Sequence, residues 1–255
     1  MSRFFVDPAN IKEKSIVIDS KEDIKHLAKV LRLKPGDEIE VSDGNEWEYT
    51  AVIADITNDA VTADITDKQT FAREPALNVT LFQGIPKQAK MDSIVQKTVE
   101  LGVKRIVPVF MDRTVAVDKG KSDRKVQRWQ KIASESVKQC RRGVIPRVAE
   151  PVSFDEAVEE MTACDLIVFP YENEKDMTIK DLLRSGAGAN DNRSKAGTEI
   201  NSVAVIIGPE GGFSDAEAEK ITAAGGRPVS LGKTILRTET AGPAALAMIM
   251  YELEM

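Results

Sequence analysis

The spacing of apolar and polar residues changes along the chain and separates two predicted kinds of structure. Residues 1–72 hold stretches of strict alternation, with Tyr49, Ala51 and Ile53 on one face of a strand. A period of two is typical of half-buried strands, and the turn signals between them favour a small β-barrel. Residues 73–255 instead alternate continuous apolar runs with helical patterns, which predicts an α/β domain with a mainly parallel sheet.

Two of the predicted helices carry an apolar stripe. Residues 20–31 begin at Ser20, whose hydroxyl can cap a helix, and include the single histidine, His26, which we expect at the surface or in packing. Residues 122–140 place Trp129 on their apolar stripe and basic side chains on the other faces. We therefore expect Trp129 in the core rather than stacked on a base.

A strand, a glycine-containing loop and a helix follow one another directly near the carboxyl end. Residues 203–207 form a continuous apolar run, typical of a strand that is buried on both faces. The glycines of residues 208–212 allow a sharp turn and a close approach of the backbone to a ligand. Ser214 and Glu217 have the spacing of a capping box, so a helix is expected to begin there.

A second unit of the same kind follows. Leu231 and Gly232 come after a short strand, and a helix is expected from about Thr240 to Leu253. In open α/β sheets, ligands bind in crevices at the carboxyl ends of strands, so the two loops predict a ligand site. Two ordinary strand-to-helix turns are the alternative. Neither loop has the dinucleotide or the P-loop pattern, so a nucleoside triphosphate is not indicated.

Composition narrows the chemistry of the site. The chain has 255 residues, 42% of them hydrophobic, and its one histidine excludes a site built on several histidines. Cys140 and Cys164 are the only cysteines, too few for a disulfide framework, and we expect both to be buried as small apolar side chains. The sequence has no signal segment and no apolar run long enough for a membrane helix. We therefore expect a cytoplasmic protein with no membrane partner and no metal.

The net charge of -6 conceals an uneven distribution. Residues 76–150 hold 16 basic and 7 acidic side chains, a net charge of +9 between two acidic ends. A focused basic patch of this kind can hold a polyanion, although an ordinary solvated charged helix is the alternative.

The residues of the two loops, IGPEGGFSDAE at 207–217 and LGKTILRTETA at 231–241, resemble the cofactor motifs of a known family. This family is the 16S ribosomal RNA (uracil-N3)-methyltransferases, of the SPOUT class. The resemblance extends to residues 84–109 (GIPKQAKMDSIVQKTVELGVKRIVPV), and residues 3–6 and 26–44 resemble the family's PUA-like RNA-binding domain. It covers almost the whole chain except residues 184–201, which are rich in small and polar residues and predict a flexible surface loop.

The resemblance implies a fold, a cofactor and a substrate. The fold is a PUA-like β-barrel at residues 1–72 and a SPOUT methyltransferase domain with a trefoil knot at residues 73–255. The cofactor is S-adenosylmethionine, and the substrate is a uridine of 16S ribosomal RNA in the small ribosomal subunit. A homodimer is also implied, because the family completes its site across two knotted domains.

The resemblance further assigns roles to individual residues. Arg237 matches the position expected of the catalytic cation, and Glu210 is a second catalytic candidate that could accept a proton. Glu210 and Glu239 could each accept a proton, bind the cofactor's ribose hydroxyls, or only stabilise a helix start. The residues expected to bind the cofactor are Pro170, Ile207, Gly208, Pro209, Glu210, Gly211, Leu231, Gly232, Leu236, Glu239, Thr240 and Ala241. The residues expected to contact RNA are Arg3, Lys90, Arg113 and Arg142.

One position departs from the family's pattern, and two other functions stay open. Thr234 stands where many relatives have an arginine, which puts in doubt any role assigned to that extra arginine. A non-catalytic RNA-binding protein could use the same barrel and basic patch. A related knotted enzyme could modify a different base or a ribose hydroxyl.

Overall fold

The chain folds into two units that are interleaved in sequence, in a computed structural model that describes residues 3–114, 122–185 and 200–254. Unit 1 comprises Met1–Glu74 and Val137–Ile145, and unit 2 comprises Pro75–Ser136 and Pro146–Met255. Residues 186–199 of the loop predicted at 184–201, and residues 115–121 of the basic region 76–150, lie outside the described residues. The predicted start of that loop is wrong by two residues, because residues 184 and 185 end a helix.

Unit 1 is built on one mixed five-stranded sheet. Its strands are β1 (Arg3–Phe5), β2 (Ser15–Ile18), β3 (Glu38–Ser42), β4 (Trp47–Ile56) and β5 (Val61–Thr70). They lie in the order β1-β3-β4-β5-β2, with β1 parallel to β3 and the other pairs antiparallel. The predicted alternation is confirmed, because Tyr49, Ala51 and Ile53 all face the core. Closure of this sheet into a barrel stays a prediction.

The helical segment of unit 1 begins where its cap predicts. The Ser20 hydroxyl accepts a hydrogen bond from the backbone N–H of Asp23, and helix α1 follows at Lys21–Lys25. The chain then continues as a wider π-helical turn, His26–Val30, which the apolar spacing does not predict. Leu27 is fully buried on this turn, and His26 is exposed at the surface, as expected.

Unit 2 is a parallel sheet with helices. Its strands are β6 (Asn78–Gly84), β7 (Arg105–Phe110), β8 (Arg147–Val148), β9 (Val152–Ser153), β10 (Leu166–Pro170), β11 (Ser202–Ile207) and β12 (Arg227–Val229). They lie in the order β12-β10-β11-β6-β7-β8, with β9 beside β7, and all these pairs are parallel. The helices are α2 (Lys90–Glu100), α3 (Ser122–Cys140), α4 (Phe154–Met161), α5 (Ile179–Ser185), α6 (Asp215–Ala223) and α7 (Thr238–Leu253). The predicted α/β domain is confirmed, and the knot stays a prediction.

Three details of burial and helix extent bear on the predictions. Trp129 is 6% exposed, so its place in the core is confirmed. The two cysteines are free but only half-buried, so the prediction of full burial is wrong. Burial and the nearby Asp165 still raise the pKa of the Cys164 thiol. Helix α7 begins at Thr238, two residues before the predicted start.

Across the described ranges, no helix is both long and apolar enough to cross a membrane.

Candidate active site

A groove of about 1030 Å³ opens at the carboxyl ends of strands β10, β11 and β12. The strand order of the parallel sheet has a switch point between β6 and β11, because the chain continues from β6 to β7 on one side and from β11 to β12 on the other. Parallel sheets bind ligands at such a switch point. The groove is large enough for a cofactor-sized molecule.

The first glycine loop forms one wall and leaves little room for side chains of its own. A Cβ added to Gly208 would lie 3.1 Å from the backbone carbon of Gly212, and Gly212 itself has a φ of 68°, in the left-handed region. The helix that follows begins as predicted, since Ser214 and Glu217 form a complete capping box. The loop is therefore folded tightly on itself.

The second loop, residues 230–237, forms the opposite wall. Gly232 has a φ of 136°, which few other residues adopt without strain. Ile235 is 83% exposed. Arg237 occupies the N-cap position of α7, is exposed, and lines the groove. Among the described residues, no carboxylate is paired with Arg237, so its guanidinium is available to an anionic ligand.

Lys90 links the first loop to the start of helix α7. Its Nζ lies 3.0 Å from Oε1 of Glu210 in the first loop and 3.4 Å from Oε2 of Glu239 in the first turn of α7. Glu210 also accepts hydrogen bonds from the backbone N–H of Lys87, at 3.0 and 3.2 Å. Glu239 Oε2 is buried and is not aligned with Lys90 as a hydrogen bond, so for Glu239 we regard the contact as an ion pair only.

Lys90 and Glu210 shift each other's pKa in the expected directions. Burial works to raise the pKa of Glu210, but the hydrogen bond from Lys90 and bonds from backbone N–H groups outweigh it and lower the pKa. The hydrogen bond to Glu210 raises the pKa of Lys90, against an opposing contribution from burial. Both groups are therefore charged at neutral pH, and Glu210 is a weaker base than an ordinary glutamate.

Arg113 stabilises the first loop by a hydrogen bond to its backbone. Its Nη1 donates a 2.7 Å hydrogen bond to the carbonyl oxygen of Gly211. A Cβ added to Gly211 would lie 2.9 Å from Cβ of Arg113, so the two residues pack closely. The neighbouring Asp112 accepts a 2.7 Å hydrogen bond from the Ser214 hydroxyl. Since Arg113 is exposed, it can hold the loop and still face solvent.

Arg3 and Arg142 belong to unit 1 and are buried there. The Arg3 guanidinium is 2.7 Å from Glu48 Oε2 and donates to the carbonyl oxygens of Arg141 and Arg142. The Arg142 guanidinium is 2.6 Å from Glu74 Oε1. Their side chains are 5% and 4% exposed, so neither is displayed to a phosphate in this conformation. Their predicted RNA contact stays a prediction, and the observed contacts favour a structural role.

Most residues predicted to bind the cofactor line the groove. These are Pro170, Ile207, Gly208, Pro209, Glu210, Gly211, Leu231, Gly232, Leu236 and Ala241. Glu239 and Thr240 do not, within the described part of the chain. The lining residues that the sequence analysis does not name as site residues are Tyr171, Glu172, Glu174, Lys175, Thr178, Gly212, Phe213, Val229, Ser230, Lys233, Thr234, Ile235 and Thr238. A signal for the first three was available, because they directly follow a buried strand in a parallel sheet.

The lining fits a ligand with both polar and apolar parts. Glycine backbone at 208–212 can offer N–H and carbonyl groups, while Ile207, Val229 and Leu236 supply apolar contact. Pockets of this composition bind cofactors by a few placed polar groups within an apolar surface. Among the described residues, no group of three or more His, Cys, Asp and Glu side chains could hold a metal ion.

Family models match both parts of the chain. A model described as an RNA methyltransferase domain matches residues 73–250, and a model described as an RNA methyltransferase PUA domain matches residues 18–66. The first model spans the groove and every strand of unit 2.

Two curated relatives that match nearly the whole of this chain carry one name, ribosomal RNA small subunit methyltransferase E. The relative from Bacillus subtilis is 31% identical over 258 residues, which cover 100% of this chain and 98% of the relative. The relative from Synechocystis is 32% identical over 252 residues, which cover 99% of this chain and 78% of the relative.

Solved structures give the same likeness. A ribosomal RNA small subunit methyltransferase E from Neisseria gonorrhoeae, bound to S-adenosyl methionine, has a TM-score of 0.82 at 30% identity, over 98% of this chain and 97% of that chain. A methyltransferase from Legionella pneumophila, in complex with the same cofactor, has a TM-score of 0.80 at 31% identity, over 98% and 96%.

Proposed function

The chain belongs to the RNA methyltransferase family, and we propose that it transfers a methyl group from S-adenosylmethionine to N3 of a uridine in 16S ribosomal RNA. One observation carries the proposal. The groove between the two glycine loops lies in a chain that aligns over almost its full length with a methyltransferase crystallised with this cofactor. The choice of uracil N3 rests on the resemblance of the motifs at 207–217 and 231–241.

The chemistry sets three tasks for the protein. Uracil N3 lies on the pairing edge of the base and carries a weakly acidic proton, so the base must be unpaired and the proton must leave. When bound, S-adenosylmethionine supplies an electrophilic methyl group. The chain's own residues must align the base with the cofactor and stabilise the anion that spreads over O2 and O4. Alignment alone contributes up to about 7–11 kcal/mol in favourable cases.

Arg237 is suited to stabilise the anion. Its guanidinium is permanently charged and offers a fixed fork of donors. It lies at the groove with no carboxylate partner among the described residues, so its charge is not already neutralised. Donors placed where charge develops in the transition state are worth about 3–4 kcal/mol each. We propose Arg237 as the catalytic cation.

Glu210 is better suited to hold its loop than to remove the proton. Its carboxylate is occupied by Lys90 and by the backbone N–H of Lys87, and its pKa is lowered. A carboxylate stabilised in its charged form gains less by accepting a proton. The role of Glu210 as a proton acceptor stays a prediction. We propose that Lys90 and Glu210 together hold the first loop for the cofactor.

Recognition of RNA is proposed for unit 1 and for the exposed basic residues of unit 2. The match of residues 18–66 to a PUA domain of RNA methyltransferases supports the first part. Arg113 supports the second, because it is exposed beside the first loop. We also propose a cytoplasmic location, with the small ribosomal subunit as the partner, because the proposed substrate is ribosomal RNA.

A homodimer is also proposed. Helix α7 exposes Tyr251 at 68% and Met248 at 37%, an apolar surface that a second copy could cover. Light scattering at micromolar concentration should give twice the mass of the 255-residue chain. A monomer mass under these conditions would refute the proposed dimer without touching the proposed activity.

The activity is tested in cells that lack the protein. Nucleoside mass spectrometry of their small-subunit RNA should lack one 3-methyluridine, and the wild-type chain should restore it. Loss of a different methylated nucleoside would favour the related enzyme with another target. An unchanged set of nucleosides, together with no binding of S-adenosylmethionine by calorimetry, would favour a non-catalytic RNA-binding protein.

A further inference from the structure

We propose that Gln83 is a positioning residue, which orients the first glycine loop through the hydroxyl of Thr238. Gln83 lies at the carboxyl end of β6 and is fully buried, and it does not line the groove. Its Nε2 donates a 2.9 Å hydrogen bond to Oγ1 of Thr238. That hydroxyl in turn donates a 2.7 Å hydrogen bond to the carbonyl oxygen of Gly208. A chain of two hydrogen bonds thus joins three elements behind the groove.

The direction of this chain is determined by Gln83. A threonine hydroxyl has one hydrogen to donate, and the Gln83 amide group occupies an acceptor position of that oxygen. The hydrogen is therefore directed at Gly208. Nε2 of Gln83 also donates to the carbonyl oxygen of Gly84, at 3.0 Å, which holds the amide in this orientation.

The opposite end of the amide shows that this orientation has a cost. Oε1 of Gln83 is buried and has no hydrogen-bond partner in the described structure. It faces Gly242 of α7, where an added Cβ would lie 3.4 Å away. An unpartnered buried oxygen is unfavourable. The two donor hydrogen bonds must therefore hold Gln83 in place, which is what a positioning role requires.

The position of the Gly208 carbonyl group affects the path of the first loop, because the loop turns there. Pro209 follows and has no N–H, so the Gly208 carbonyl oxygen is the one strong hydrogen-bonding group of that peptide unit. Pro209 also rests directly on β6, since a Cβ added to Gly84 would lie 2.6 Å from the Pro209 nitrogen. Contact with Gly84 on one side and Thr238 on the other fixes where residues 210–212 enter the groove.

This inference rests on the proposed function, because its readout is the affinity for S-adenosylmethionine measured by calorimetry. Gln83→Met removes the amide donors at nearly constant volume, and Thr238→Val removes the hydroxyl. Each should weaken cofactor binding roughly threefold to tenfold, the usual worth of one hydrogen bond. Thr238→Ser keeps the hydroxyl and should bind within about twofold of wild type. RNA affinity should be unchanged in all three variants.

The Gln83 variant separates positioning from direct contact, because Gln83 does not reach the groove. A double variant, Gln83→Met with Thr238→Val, should bind no more weakly than Thr238→Val alone, since both changes break one chain. Additive losses would overturn the inference. So would a cofactor affinity equal to wild type in Gln83→Met, even with a lower melting temperature, because that pattern describes a purely structural residue.

Failure of the proposed function has a different signature. If the wild-type chain itself does not bind S-adenosylmethionine, the proposed function is wrong and the inference falls with it. If the wild type binds and the variants bind equally well, the inference alone is wrong. Should Thr238→Val fail to fold, Thr238→Ala removes the same hydroxyl without placing a methyl group against Gly208, and the same outcomes apply.

Discussion

Replacement of Arg142 by alanine should destabilise unit 1 rather than act mainly on RNA affinity. The Arg142 guanidinium donates from Nη2 and Nε to the two carboxylate oxygens of Glu74, at 2.6 and 3.3 Å. The same carboxylate accepts the backbone N–H of Gly143 and of Val144. Arg142→Ala would remove the guanidinium from the buried Glu74 carboxylate, which would keep its bonds from these two backbone N–H groups.

The size of the effect follows from burial. The two side chains are 4% and 7% exposed, so water cannot replace the lost guanidinium. Removal of one partner from a buried pair costs about 3–5 kcal/mol. With a urea slope of about 1–3 kcal/mol per M, the unfolding midpoint should fall by roughly 1–5 M. A loss of this size approaches the whole stability of many small domains.

The assay needs a probe of unit 1 alone. The chain has two tryptophans, and Trp47 lies in β4 of unit 1 whereas Trp129 lies in unit 2. Urea titration should therefore follow Trp47 fluorescence in a Trp129→Phe background. Lys138→Ala is the matched control, because Lys138 also belongs to unit 1 and pairs with Asp23, but its side chain is 36% exposed. The control should lose less than about 1 kcal/mol.

The outcome also decides between the two roles of Arg142. If Arg142→Ala unfolds at the midpoint of the control while its RNA affinity falls, the structural reasoning is wrong and the predicted RNA contact is supported. A lowered midpoint, with RNA affinity intact at low temperature where the variant is folded, supports the structural role.

Three further predictions concern the groove. Gly232→Ala should weaken cofactor binding, measured by calorimetry. Gly225→Ala is the control, because Gly225 has a φ of 96° and equally open surroundings. It should carry similar backbone strain and leave cofactor affinity unchanged. Arg237→Ala should lower the single-turnover methylation rate by roughly two orders of magnitude with little change in cofactor affinity, and a wild-type rate at saturating RNA would show that Arg237 is not the catalytic cation. The pKa of Glu210 is lowered from 4.5, so the charged carboxylate stabilises the fold above pH 4.5, and this stabilisation is lost as the pH falls through the folded-state pKa. The melting-temperature difference between wild type and Glu210→Gln should therefore be full at pH 7 and vanish in acid. A difference that does not depend on pH would contradict the pairing with Lys90.

The sequence predicts those parts of the groove that are marked by residues adjacent in the chain. Both glycine loops lie directly after apolar strands, and the capping box of Ser214 and Glu217 marks the next helix without any tertiary information. Parallel strands then bring both loops to the same edge of the sheet. The start of α7 is misplaced by two residues because its N-cap, Arg237, makes no side-chain capping bond that a pattern could reveal.

Contacts between residues distant in the chain are what the sequence does not reveal. In the sequence, Lys90 is one of many basic residues between positions 76 and 150, but the fold places it between Glu210 and Glu239. Arg142 reads the same way, and its pairing with Glu74 depends on residues 137–145 joining unit 1. Gln83 is a polar residue near the end of a mostly apolar strand, and its importance appears only when Thr238 and Gly208 are seen beside it. The predicted domain boundary at 72/73 likewise does not foresee this returning segment and stays a prediction.

The charges around the groove indicate how the N3 proton is lost. A general base should have a free carboxylate or amine in contact with the groove, at a pKa near the working pH. Glu210 is held by Lys90, and Glu239 lies against the same ammonium group without lining the groove. Lys90 is itself kept charged by these carboxylates, so it cannot serve as a base either. Arg237 lacks a carboxylate partner among the described residues and can lower the pKa of the uracil N3–H by stabilising the resulting anion. Among the described residues, solvent and the groove-lining carboxylates of Glu172 and Glu174 remain as acceptors of the proton, with electrostatic assistance from Arg237. We expect Glu210→Gln to retain far more of the single-turnover rate than Arg237→Ala.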